Sequence, residues 1–155
     1  MEHNESSMGI LLKFLELLAI IVWLGSLLFF SLIAAPALFR ALGKQDAGAA
    51  VRTIFPGYYL AGIVSGLVLL GVVAARGTLW GWTGMQPVSF GLFLILTSIV
   101  VASRQVLVPA INRARTGGAP TESRFQRLHR ISVLLNLFVT LILLMYVFWM
   151  ASRGY

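Results

Sequence analysis

Apolar residues fill this chain in four long runs, and none of them alternates with the period of two that a barrel strand needs. The runs cover roughly 10–35, 58–75, 88–108 and 131–150. Only Lys13 and Glu16 interrupt the first. A hydrocarbon core about 30 Å thick takes roughly 20 helical residues at about 1.5 Å each, so every run is long enough to cross, the second being the shortest. Backbone in lipid must satisfy its own hydrogen bonds, which makes the four runs helices. The pattern predicts an all-α integral membrane protein, an antiparallel bundle of four transmembrane helices in a single domain.

The connections add to this. After Pro36 the chain continues in helix formers, broken at Gly43. We expect the first helix to run past Pro36 and a short interfacial helix to follow over about 45–54, between helices 1 and 2. Pro56 and Gly57 then restart the chain into the second span. The third span is expected to continue as helix beyond Val108 toward Arg113, with a kink at Pro109. Thr-Gly-Gly-Ala-Pro at 116–120 is a turn signal.

Composition narrows the solvent. Of 155 residues, 59% are hydrophobic and 11% charged, where a soluble domain carries about 25% charged residues. There is no cysteine, which excludes disulfides, thiolate metal sites, iron–sulfur clusters and cysteine nucleophiles. The formal charge of +7 raises nucleic acid as a partner. The basic residues sit in short loops between apolar runs, however, so membrane topology and anionic lipid explain them and nucleic acid is not expected.

Orientation follows from those charges. Arg40, Lys44 and Arg52 lie in the first connection, and Arg104, Arg113, Arg115, Arg124, Arg127 and Arg130 in or beside the third. Lys13, Arg76 and Arg153 lie at the opposite ends. Basic residues stay cytoplasmic, which places both termini on the non-cytoplasmic side of the cell inner (plasma) membrane. Trp80, Trp82, Tyr146, Trp149 and Tyr155 then form an aromatic belt on that outer side. The opening Met-Glu-His-Asn-Glu is acidic and does not read as a cleaved signal, so the first span is expected to be retained.

Candidate chemistry concentrates in Phe-Gln-Arg-Leu-His-Arg-Ile-Ser-Val-Leu-Leu-Asn at 125–136. A helix there places His129, Ser132 and Asn136 on one face, running from the membrane surface into hydrocarbon. Arg104 is expected at the same depth, and Arg52 enters on the same side. Together they suit a phosphate, a carboxylate or an anionic headgroup. The plainer reading has Arg104 reaching headgroups and Asn136 bonding a neighbouring helix.

A secondary polar site is Glu16 with Trp23 two turns deeper on the same face. A carboxylate at that depth suits proton relay or cation binding. It also suits a pair with Lys13 one turn earlier. Gly62 and Gly66, with Ala61 and Ser65 alongside, let helices approach closely, either within the bundle or at a dimer seam.

No metal site or cofactor is expected. No pair of His, Cys or carboxylate residues shares helical spacing at one depth. Haem would need a partner to supply the second ligand, because Met145 lies roughly 24 Å beyond His129 along one helix. No nucleophile–base pair, phosphate loop or carboxylate pair appears, so the chain is expected not to be an enzyme.

Several stretches together resemble the transmembrane protein 205-like family, also called domain of unknown function 4149. They are Val-Trp-Leu-Gly-Ser-Leu-Leu-Phe-Phe at 22–30, Ala-Pro-Ala-Leu-Phe-Arg from Ala35, Ile-Phe-Pro-Gly-Tyr-Tyr at 54–59, Ser-Arg-Gln-Val-Leu-Val-Pro at 103–109, and the 125–136 stretch. The resemblance implies a small four-helix membrane protein. It also implies that Trp23, Gly25, Pro36, Arg52, Phe55, Pro56, Tyr59, Arg104, His129, Ser132 and Asn136 are family-type positions. It implies no reaction. Eukaryotic relatives are associated with platinum-drug tolerance and vesicle trafficking, and this chain lacks the cysteines that soft-metal handling would use.

Two functional expectations stand side by side. One is a non-enzymatic module that holds an anionic lipid or small solute at a cationic cytoplasmic-side site, in transport or tolerance, as a homo-oligomer. The other is an accessory subunit of a larger respiratory or redox complex, with His129 contacting a haem.

Overall fold

The computed structural model describes residues 2–116 and 119–153, and the side chains of 7–43, 45–114 and 123–153. Helix α1 spans Glu2–Phe29 and passes through a π-turn, Phe30–Ala34, into α2, Ala35–Trp80. Helix α3 covers Gln86–Ala102. A second π-turn, Ser103–Leu107, leads into α4, Val108–Thr116, and α5 covers Ala119–Ser152. The described residues contain no strand. Among the described residues, four stretches are long and apolar enough to cross a membrane: Ser7–Gly43, Gln45–Trp80, Gln86–Ala114 and Ser123–Ser152.

These helices are longer than the apolar runs, because hydropathy marks only the stretch matched to hydrocarbon and nothing at the run ends stops a helix. Both π-turns have a local cause. A helical proline lacks the N–H that would bond four residues back, and its ring presses on that carbonyl. Pro36 and Pro109 each follow a π-turn by two residues, and the widened turn relieves the pressure on Leu32 and Gln105. The irregularity expected at Pro109 is therefore a π-turn that ends two residues before it.

Gly43 reverses the chain. Its φ of 69° and ψ of 176° lie where an L side chain is strained, and it breaks α2 into two limbs. From Gln45 the second limb runs unbroken to Trp80, with Pro56 inside it. The segment expected as a separate short helix is thus the opening of one long helix, and Pro56 does not restart the chain. Pro56 forfeits one bond, to the Arg52 carbonyl, near the polar end of the limb.

Met1–Ser98 and Ile99–Tyr155 form two compact units. In the first, α1 and the long limb of α2 run antiparallel. Glu16 meets Arg76 near the ends away from Gly43, and Phe30 meets Tyr58 toward the Gly43 end. Buried Leu12, Glu16, Ala19, Trp23 and Leu27 recur every three or four residues along α1, one stripe of a helix. Gly62, Ser65 and Gly66 are buried on α2, and a Cβ on Gly66 would strike the Thr97 side chain. The small residues therefore serve packing within the chain at this point. In the second unit, Ser132, Val139, Leu143, Tyr146 and Met150 form the buried stripe of α5. Ile10, Leu32, Met145 and Phe148 are at least 66% exposed, an apolar outer surface that suits acyl chains and not water.

Candidate functional site

Glu16 is the most enclosed charged residue among those described, with 1% of its surface exposed. Its Oε2 accepts a hydrogen bond from Nη1 of Arg76 at 2.5 Å, and the Arg76 side chain is 20% exposed. An ionised carboxylate in an apolar interior is tolerated only when paired, and a charge-assisted bond of this length is a strong one. The arrangement follows from the antiparallel α1–α2 pair, which sets a point about four turns into α1 beside the last turns of α2. Trp23, two turns deeper on α1, is 2% exposed.

Sequence reasoning offered Lys13 as the partner and counted Arg76 only as a topological charge. The signal that was available is position. Both Glu16 and Arg76 lie toward the ends away from Gly43 of two long apolar helices joined by a single reversal. Around this end, Trp82 folds back onto Gly77, where a Cβ would collide with the indole. Trp82 also meets Phe90 edge to face at 5.6 Å. The absence of a side chain at Gly77 is what lets the indole lie on α2.

The residues proposed for a cationic site fall in two places. Arg52 is exposed on α2, in the first unit. Arg104, His129, Ser132 and Asn136 belong to the second unit. Arg104 lies in the π-turn and is exposed, as is His129. Ser132 is 7% exposed. Asn136 is half-buried, and its backbone carbonyl accepts a bond from the Thr140 hydroxyl at 2.8 Å. The face predicted for α5 is therefore graded: His129 is open at the polar end, and Ser132 and Asn136 turn inward below it. His129 stacks on Phe125, with ring centroids 6.0 Å apart and planes 8° from parallel. Arg124, Arg127 and Arg130 are exposed on the same turns, giving a dense positive surface at the start of α5.

An aromatic cluster that sequence reasoning did not assemble lies in the first unit. Phe30 sits 5.5 Å from Phe55 and 5.1 Å from Tyr58. Tyr58 meets Tyr59 edge to face at 5.3 Å. Phe30 belongs to the π-turn and the others to Ile-Phe-Pro-Gly-Tyr-Tyr, so the reversal at Gly43 brings the two motifs together. Once that reversal is known, their nearly equal distances from Gly43 announce the contact. Among the described residues the Tyr58 hydroxyl is buried with no partner.

Among the described residues no three His, Cys, Asp or Glu side chains gather to hold a metal ion. His3, the second histidine, has its side chain outside the described residues, as do Lys44 and Arg115. Gly117 and Gly118, in the expected turn at 116–120, also lie outside.

Residues 18–120 match the family model described as "Domain of unknown function (DUF4149)". The chain belongs to that family. It is 31% identical over 130 residues to an uncharacterized protein of Aquifex aeolicus (strain VF5), covering 84% of this chain and 88% of that one. No solved structure matches. The DUF4149 chain is thus tied to its family by sequence across both compact units, and the family's description assigns no activity.

Proposed function

We propose that this DUF4149 protein is a non-enzymatic multi-pass membrane protein that holds an anionic phospholipid headgroup, or a small anionic solute, at a cationic surface on the cytoplasmic side. In this reading the four spans form an antiparallel bundle, the 45–54 segment lies at the interface, and both termini face away from the cytoplasm. The supporting observation is the start of α5 with the π-turn before α4. Arg104, Arg124, Arg127, His129 and Arg130 are all exposed there, at the boundary where the helix turns apolar. Guanidinium and imidazole N–H groups suit phosphate oxygens, and the Phe125–His129 stack suits the glycerol depth of a leaflet. The role asks only charge and shape of these residues. Transport of, or tolerance to, a small toxic species fits through homo-oligomers, because four helices leave little room for a solute path inside one protomer.

The test is to purify the Arg104→Ala/His129→Ala variant beside the parent and quantify co-purifying phospholipid. The proposal expects less anionic phospholipid on the variant. Equal amounts on both would remove the site.

The exposed, stacked His129 also favours a second reading, an accessory subunit whose histidine reaches a haem held with a partner. A Soret band in protein purified from its own membrane would select that reading. A colourless preparation carrying phospholipid would select the first.

A further inference from the structure

We infer that the chain is a tandem repeat of one unit, helix, π-turn, proline, returning helix, and that each repeat carries its own anionic-phospholipid site, at Arg52 in the first and His129 in the second. The inference rests on the lipid-binding reading and sharpens it, since Arg52 and His129 become one position seen twice.

The repeat shows first in features that have no period of their own. Pro36-Ala37-Leu38-Phe39-Arg40-Ala41 reappears as Pro109-Ala110-Ile111-Asn112-Arg113-Ala114. Each copy follows a five-residue π-turn, Phe30–Ala34 or Ser103–Leu107, by the same step. The interval that carries Pro36 onto Pro109 also carries Ile20 onto Phe93, Trp23 onto Leu96 and Leu27 onto Val100, and all six are buried. Two amphipathic helices share burial by chance in several registers. They do not also share a π-turn, a proline and an arginine in that same register.

The returning helices repeat as well. Ala74-Ala75-Arg76-Gly77 reappears as Ala151-Ser152-Arg153-Gly154. The interval that carries Arg76 onto Arg153 brings Leu69 onto Tyr146 and Val73 onto Met150, four buried residues. It is longer than the first interval because the second repeat has the longer connection, the one containing Gly117 and Gly118.

In this register Arg52 falls on His129, and both are exposed. Each has an aromatic ring about one turn away on its own helix, though on opposite sides, Phe55 after Arg52 and Phe125 before His129. Each is followed two turns deeper by a polar side chain turned at least partly inward, Tyr59 or Asn136. A nitrogen donor at the polar boundary, an aromatic neighbour and a deeper hydroxyl or amide match a phosphate, its leaflet depth and the ester region below it. The outer end breaks the correspondence. The partner of Arg76 is Glu16, whose counterpart is Ser89, and Arg153 instead lies over the Trp149 ring at 5.9 Å. The property common to both repeats is therefore at the π-turn end.

The experiment titrates the full-length protein with dioleoyl phosphatidylglycerol and counts bound lipids by native mass spectrometry, with dioleoyl phosphatidylcholine as the neutral control. Two phosphatidylglycerols bind the parent. Arg52→Ala and His129→Ala each remove one, and together they remove both. Arg52→Lys keeps a donor and keeps both lipids, which separates loss of the donor from loss of fold. The exchange Arg52→His with His129→Arg also keeps both, because the positions are equivalent. Binding of one phosphatidylglycerol rather than two by the parent, lost with either alanine, would overturn the two-site inference and leave the lipid-binding reading standing. Equal retention of neutral and anionic lipid, or no change in the double alanine variant, would overturn both.

Discussion

Arg76 reaches across 60 sequence positions to donate to Glu16 at 2.5 Å, joining the last turns of α2 to a point about four turns into α1. Arg76 is the more exposed partner, so the guanidinium reaches the surface while the carboxylate is sealed away from it. The pair fixes the register of the two helices at one end, as the Phe30–Tyr58 contact does at the other.

Removing either partner breaks the charge-assisted bond that compensates the burial of these charges. Glu16→Ala or Arg76→Ala is expected to destabilise the protein by about 3 to 5 kcal/mol. The double variant Glu16→Leu/Arg76→Leu is expected to recover most of that loss, since apolar replacement removes both desolvation costs together. Thermal unfolding of the four proteins in one detergent measures the coupling. Strictly additive losses would show that the pair is not a unit.

Gly66 is expected to tolerate no side chain. A Cβ there would overlap the Thr97 side chain, so Gly66→Ala should cost about 1 to 3 kcal/mol through overpacking. Adding Thr97→Ala removes the Oγ1 and methyl group that obstruct it and should return part of the loss. Melting temperatures of the single and double variants decide this, and an unperturbed Gly66→Ala would mean that the two helices are further apart than described.

The Thr97 hydroxyl itself carries a prediction of opposite sign. Thr97 is 5% exposed, and among the described residues its hydroxyl oxygen is buried with no hydrogen-bond partner. Thr97→Val keeps the shape and removes the unsatisfied group, so stability should rise by about 1 kcal/mol. A lower melting temperature would indicate that the hydroxyl is satisfied after all.

The helical class and the approximate spans were legible because hydrocarbon thickness imposes itself on the apolar pattern, and nothing between Gln45 and Trp80 needed to be known beyond that. The fate of Pro56 was not legible. A proline followed by glycine reads as a break in water, whereas a helix at a membrane boundary loses one bond and continues. Glu16 stood out as a costly residue, yet its partner could be found only once the reversal at Gly43 set α1 against α2. The grading from exposed His129 to buried Ser132 along one helical face also needed coordinates. Spacing says which residues share a face and not how far down that face enclosure begins.

A cationic site on the cytoplasmic side requires lipid around the four spans and the π-turn ends facing the cytoplasm. Thiol labelling tests this directly, because the chain contains no cysteine to give background. Gln45→Cys, Thr83→Cys and Ser123→Cys place single thiols at successive ends of the helices, and a membrane-impermeant maleimide is applied to sealed right-side-out and inside-out vesicles. The account predicts that Thr83→Cys is labelled only from outside, and Gln45→Cys and Ser123→Cys only from inside. Labelling of all three from one side, or of Thr83→Cys together with Ser123→Cys, would contradict it.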